Sequence, residues 1–212
     1  DDIAPGDVIM SVRSGGPCKL ESKPNSGLMS NGATSARHVL MVPKYALEHL
    51  EIADPKGDPY TGRFEIGDKP AGLGGMEISE AIISPTRHFP LIIRRMLQEF
   101  GADIHGIAMC TGGGATKCTR IGNDIKYIKD NMPTPDPLFL LIQEESGKTW
   151  EAMYKSFNMG VGLDVVVHKS SSDDVKKLIE SEFGVGCERI GHCEQGEKNG
   201  KNHVLITGKF GN

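Results

Sequence analysis

Residues 163–207 switch between two periodicities, and that switch narrows the fold more than any other feature of the chain. The run 163–168, L-D-V-V-V-H, reads as a buried strand. Ser171-Ser172-Asp173-Asp174 then supplies a helix cap, and Val175, Leu178, Ile179 and Phe183 are spaced for one helical face that Gly184 ends. Residues 185–191 and 204–207 read as strands joined through the turn Lys198-Asn199-Gly200. This order, β-α-β-β, predicts a sheet with a helix on one side.

The same alternation extends upstream. Val8-Ile9-Met10-Ser11-Val12 predicts a core strand, and residues 13–29 predict a long loop. A helix capped by Ser30 or Asn31 is expected over 33–50, with Val39, Leu40, Leu47 and Leu50 apolar and Pro43 breaking it. Residues 54–75, rich in glycine and proline, form an excursion. Ser84-Pro85-Thr86 predicts a helix start, with Ile92, Ile93, Met96, Leu97 and Phe100 on one face and Gly101 at the end. A strand follows over 104–109. After an extended connection through Pro133, Pro135 and Pro137 come short helices over 138–145 and 150–157. The expected fold class is α+β (layered α/β), a mixed β-sheet with helices packed on it. Residues 1–212 form a single domain in this reading. A core strand so near the first residue predicts that the chain is a piece cut from something longer.

Composition weighs against several functions. A formal charge of −4 lacks the basic footprint of a nucleic-acid binder. No window approaches the roughly 20 apolar residues of a membrane span. Five cysteines, widely spread and without a C-x-x-C, fit reduced thiols in a cytoplasmic protein better than a disulfide framework or a zinc site. The seven histidines show no metal-ligand spacing, so no metal ligand is assigned. Cys110, beside a glycine run, is the first choice among the thiols for a nucleophile, although no residue is assigned as catalytic. Glycine is abundant, 27 of 212 residues, which suits loops that wrap anions as well as a merely loop-rich fold.

Three glycine segments are candidates for such loops. Ser30-Asn31-Gly32 lies at a loop-to-helix junction, where unpaired N–H groups and two polar side chains favour an anion; simple capping is the plainer alternative. Thr111-Gly112-Gly113-Gly114 follows a strand and precedes an expected helix, a phosphate-cradle layout without the G-K-[ST] of a P-loop, with a simple tight turn as the plainer alternative. In Phe157-Asn158-Met159-Gly160-Val161-Gly162, Asn158 ends a helix or aims its amide at a ligand, and Gly160 suits positive φ.

Taken in order, five segments resemble one family: Gly6-Asp7-Val8-Ile9, Ser30-Asn31-Gly32 with Arg37, Ser84-Pro85-Thr86-Arg87, Thr111-Gly112-Gly113-Gly114, and the stretch M-Y-K-S-F-N-M-G-V-G beginning at Met153. They resemble the C-terminal half of the phosphoribosylformylglycinamidine cyclo-ligases, also called aminoimidazole ribonucleotide (AIR) synthetases. The likeness covers nearly the whole chain, and its last segment is the most specific. The wider superfamily includes thiamine-monophosphate kinase, selenophosphate synthetase and a hydrogenase maturation protein.

The resemblance implies an AIR synthetase C-terminal-domain-like fold and an ATP-dependent ring closure in purine biosynthesis. It implies ATP and Mg²⁺ as cofactors, bound mainly by an N-terminal half that also forms a homodimer. That half carries a D-G-x-G-T-K-like segment, which this sequence lacks. The chain is therefore expected to hold part of a small phosphorylated substrate and to be inactive alone, with no nucleic-acid or membrane partner and a cytoplasmic location. Ser30, Asn31, Gly32, Gly112, Gly113, Gly114 and Asn158 carry over as cleft-lining candidates for phosphate or substrate. Two departures mark a divergent branch. An insertion separates Ser14-Gly15-Gly16 from Ser30-Asn31-Gly32, and Met109 and Ala115-Thr116-Lys117 replace the family's usual residues around the glycine turn. The alternatives are another ATP-dependent phosphoryl-transfer enzyme of the superfamily, or a free-standing ligand-binding domain.

Overall fold

The apolar run after Gly6 forms β1 (Val8–Arg13), whose first five residues are fully buried, as befits a strand with neighbours on both edges. A computed structural model of the chain describes residues 2–52 and 59–207, without the Asn31 side chain. After β1 come β2 (Gly15–Gly16), β3 (Asn25–Ser26), α1 (Ala33–Leu40), α2 (Lys44–Glu48), α3 (Ile78–Ile83) and α4 (Phe89–Phe100). Then follow β4 (Ile104–Met109), β5 (Ile125–Lys129), α5 (Pro137–Ser146), α6 (Trp150–Ser156), β6 (Val161–Val167), α7 (Ser172–Leu178), β7 (Cys187–Gln195) and β8 (His203–Ile206).

Six strands form one mixed sheet in the order β4-β6-β1-β7-β5-β8. Every neighbouring pair is antiparallel except β5 and β8. Alternation along β1 divides its side chains between two cores. Val8, Met10 and Val12 join Phe89, Ile92 and Met96 of α4, Val175 and Leu178 of α7, and Ile179 just beyond it. Ile9 joins Val166, Tyr127, Ile190 and Cys118 in the second core. A third core gathers α1, α3, α5 and α6 around Phe139, Phe157 and Met159. The expected mixed sheet with helices packed on it is therefore the architecture.

Several local expectations need correction. Ser84 does not start a helix: it is the C-cap of α3, its Oγ donating to Glu80 O at 3.1 Å. Pro85 keeps Ser84 extended, and α4 begins at Phe89 with Pro90 in its first turn. α3 was not anticipated; a reciprocal Glu77–Glu80 capping box starts it. In α4 the buried face is Phe89, Ile92 and Met96, while Leu97 is exposed. Gly32, not Ser30 or Asn31, holds the N-cap position of α1, and no side chain bonds there. The glycine turn leads into a 3₁₀ segment, Gly114–Arg120, rather than an α-helix. The strands β7 and β8 are not a hairpin, because β5, a strand the sequence reading did not assign, lies between them. Asp124 organises that crossing by accepting from the Asn199 and Gly200 amides at 3.1 and 2.6 Å. Residues 53–58 of the glycine-rich excursion lie outside the described residues.

Candidate functional site

The C-terminal end of α6 runs into Phe157, and two of the glycine segments close on that residue. A β-carbon on Gly32 would stand 3.0 Å from the Phe157 ring and 2.6 Å from Leu28. A β-carbon on Gly114 would collide with the carbonyl oxygens of Phe157 and Tyr154. At Gly114 only glycine permits the approach, whereas a side chain at Gly32 would have to push aside the Leu28 tip and the Phe157 ring. The Phe157 ring itself packs on Phe139 at 5.9 Å between centroids. Thus segments from three distant stretches of sequence meet at one turn.

Asn158 locks that turn. Its Oδ1 accepts from Ser14 Oγ at 3.0 Å and from Gly160 N at 2.7 Å. Its Nδ2 donates to Gly27 O at 2.9 Å and Leu28 O at 3.3 Å. Two donors and two acceptors fill the capacity of a primary amide. Asn158 is buried, so it braces the loop that precedes Ser30 from within.

Backbone strain is concentrated on either side of this brace. Met29 has φ 61° and ψ 178°, Met159 has φ 56°, and both side chains are buried. Such conformations in non-glycine residues cost on the order of 1–3 kcal/mol each and persist only where the surroundings enforce them. Met29 immediately precedes the exposed Ser30, on the 3₁₀ turn Ser30–Gly32. The Asn31 side chain lies outside the described residues.

Gly112, Gly113 and Gly114 have φ 46°, 117° and 52°. Three successive positive-φ residues make a tight left-handed turn that only glycine adopts readily. Gly112 is exposed, Gly114 buried, and Lys117 Nζ reaches back to Gly112 O at 3.1 Å. Cys110 is no nucleophile: it is buried, and desolvation pushes its thiol well above the ordinary range.

Beside Ser30 lies a cavity of about 520 Å³ that also touches Met29, Arg37, Ile82 and Thr86. Arg37 is oriented there by Tyr60 OH, which accepts from Nε at 3.2 Å. A second cavity, of about 890 Å³, adjoins the same 83–86 segment and reaches Glu21, Asn25 and Asp136. Arg87 stands behind it, buried, donating to Arg13 O, Gly16 O and both oxygens of Glu21. Asp136 pairs with Arg13 and packs against the backbones of Gly15, Gly27 and Gly160. Burial pushes the Asp136 carboxyl up, and the Arg13 guanidinium opposes that shift without cancelling it.

Arg13 and Asp136 were not singled out from the sequence, Ser14 and Phe157 entered only as members of glycine segments with no role of their own, and a buried pair, Lys129 with Asp164, was missed. A visible signal existed for the last: Asp164 interrupts the apolar run V-G-L-D-V-V-V. Among the described residues no group of three His, Cys, Asp or Glu side chains is placed to hold a metal ion. Nor is any described helix long and apolar enough to cross a membrane.

No family model matches the chain. Curated proteins do. It is 30% identical over 196 residues to the phosphoribosylformylglycinamidine cyclo-ligase of Methanopyrus kandleri, covering 92% of this chain and 46% of that protein. The corresponding enzyme of Pyrococcus furiosus is 31% identical over 196 residues, covering 90% and 47%. That of Methanocaldococcus jannaschii is 29% identical over 204 residues, covering 96% and 49%. The chain is homologous to these cyclo-ligases, and it spans about half the length of the curated relatives it matches, their C-terminal half. Among solved structures, thiamine-monophosphate kinase from Stenotrophomonas maltophilia K279a superposes with a TM-score of 0.52 at 15% identity, over 96% of this chain and 51% of that one. The E. coli hydrogenase maturation protein HypE gives 0.50 at 16% identity, over 99% and 49%. These two likenesses concern the fold alone.

Proposed function

We propose that this chain is the C-terminal, substrate-holding part of an ATP-dependent cyclo-ligase that converts formylglycinamidine ribonucleotide to aminoimidazole ribonucleotide. The observation that carries the reading is the homology to cyclo-ligases along nine-tenths of the chain, joined to the convergence of its glycine segments on Phe157 and Asn158. In this reading the amides of Gly112, Gly113 and Gly114, with Ser30, Asn31 and Gly32, receive the phosphate and ribose end of the substrate. Asn158 acts from behind, holding the Ser30 loop and the 158–160 turn in register. The walls of the cavity beside Ser30 exclude water from the bound end.

Bound ATP would supply the phosphoryl group that activates the formyl oxygen, so that a ring nitrogen can attack the formyl carbon and phosphate can leave. The side chains of this chain do not fit Mg²⁺, since no acidic cluster stands among the described residues. No step on this chain is routed through the metal. We assign ATP, Mg²⁺ and the homodimer contact to the remainder of the enzyme, and place the protein in the cytoplasm. The chain alone is then inactive.

Titration of the isotopically labelled chain tests the assignment. Formylglycinamidine ribonucleotide is expected to shift the amides of residues 30–32 and 112–114, and ATP is expected to leave them in place. Micromolar ATP binding by the chain alone contradicts the reading and favours a self-sufficient nucleotide-binding domain.

A further inference from the structure

We propose that the buried Lys129–Asp164 pair is a positioning device for the glycine turn, a tether that holds residues 112–115 in their curled shape from beneath. Lys129 is the last residue of β5, and Asp164 is the middle residue of β6. Both side chains are wholly buried. Lys129 Nζ lies 2.6 Å from Asp164 Oδ2 and 2.6 Å from the carbonyl oxygen of Ala115. Ala115 follows Gly114 directly and begins the 3₁₀ segment with it. The ammonium therefore joins the centre of the sheet to the residue that closes the turn.

Packing alone does not explain such a pair. Two desolvated charges are a poor source of stability, and well-fitted apolar residues often replace them without loss. Burial works against the Lys129 ammonium, yet the Asp164 carboxylate overrides it and raises the lysine above its ordinary value, so the charge is retained. What the charge achieves is visible in its second contact: a charged donor grips Ala115 O, which an apolar side chain cannot do. The other wall of the turn is set by Gly114 against the Phe157 and Tyr154 carbonyls. The approach from β4 is set by Cys110 N donating to Gly162 O at 2.9 Å. The turn is thus held at its inner end while Gly112 faces solvent. The tether is a statement about the shape of the turn; its effect on binding rests on the reading of that turn as an anion site.

The test compares the 212-residue chain with its Lys129→Met, Asp164→Leu double variant. Amide hydrogen exchange is followed at residues 113–118 and along β1 and β6, together with thermal melting. A titration with inorganic phosphate is followed at the Gly112, Gly113 and Gly114 amides. Exchange over 113–118 is expected to accelerate about tenfold or more, exchange in β1 and β6 to stay as it was, and the melting temperature to hold. The phosphate Kd is expected to rise about fivefold, the loss of a held geometry rather than of a contact. Unchanged exchange over 113–118 in the folded variant overturns the tether. If phosphate leaves the unaltered chain's turn untouched, the anion reading falls, while the exchange comparison still decides the tether. Should the double variant fail to fold, Lys129→Met, Asp164→Asn decides instead. It removes both charges together with the grip on Ala115 O while keeping the size at 164, and acceleration over 113–118 beyond that of β1 and β6 is expected; equal acceleration throughout, or none, overturns the proposal.

Discussion

Gly114 lies against the carbonyl oxygen of Phe157 so closely that no β-carbon fits between them. This one approach joins the glycine turn after β4 to the most family-specific segment of the chain. With φ 52°, Gly114 is doubly restricted, by conformation and by space. Gly114→Ala is therefore expected to destabilise the chain by roughly 2–4 kcal/mol, combining positive-φ strain with overpacking. Gly72, at ordinary φ with open space where a β-carbon would go, is the control. Gly72→Ala should stay within about 0.5 kcal/mol of the parent. Urea unfolding measures both, and equal losses would contradict the packing described.

Asn158→Asp separates the two halves of the amide's work. The acceptors toward Ser14 and Gly160 remain, while the donors toward Gly27 O and Leu28 O are lost. Two buried carbonyls then face a carboxylate, and a loss of about 2–4 kcal/mol is expected. A stability equal to the parent's would mean that the brace contributes nothing.

Ser30→Ala addresses the loop that Asn158 supports. Because Gly32 is the N-cap of α1, the roughly 1 kcal/mol of a lost cap should not appear. In the complete enzyme the expected result is a raised KM for the ribonucleotide, with a fall in melting temperature no larger than one lost hydrogen bond gives. A lower melting temperature with an unchanged KM would return Ser30 to a structural role.

Asp136 gives the fold a pH dependence of definite sign. Its carboxyl is raised above the ordinary 3.8, so the folded state holds that proton more tightly than the unfolded state does. Its contribution is fully present below 3.8 and declines as pH rises through the higher folded value. Arg13 and Arg87 limit the shift but do not reverse it. Asp136→Asn is expected to flatten the stability–pH curve just above 3.8. Denaturant midpoints taken in steps of half a pH unit check this, and an unchanged slope contradicts it.

Four thiols should be silent in the native state. Burial raises Cys110 well above its ordinary value and Cys118, Cys187 and Cys193 to about 12. Alkylation at pH 8 should modify them only at the rate of unfolding; fast labelling of Cys110 would contradict its burial.

Much of the fold was legible because each central strand and its periodic helix carry their own local signal. β1, β4, β6, α4 and α7 all fall where hydrophobic spacing placed them, within a few residues. Failures arose where a tertiary partner decides. The strand β5, I-K-Y-I-K, has polar residues that look exposed, yet Lys129 is buried by a partner 35 residues away. Ser84 looked like a helix start because Pro85 follows it, but the Glu77–Glu80 box already defines a helix that ends there. The three glycine segments could be picked out by composition. Their meeting at Phe157 could not, since nothing local records that Gly32 and Gly114 share a neighbour. The same holds for Asn158, whose Gly27 and Leu28 partners lie 131 and 130 residues away.

The central claim, that this fold belongs to the substrate-holding part of a cyclo-ligase, meets its most direct test in turnover. The full-length enzyme carrying this chain is supplied with formylglycinamidine ribonucleotide, ATP and Mg²⁺, and aminoimidazole ribonucleotide is measured beside ADP. The account predicts one ring closed per ATP consumed, and loss of that turnover when Gly113→Ala disturbs the turn in a protein that still folds. ATP consumption with phosphoryl transfer to another acceptor, and no ring closure, would contradict it.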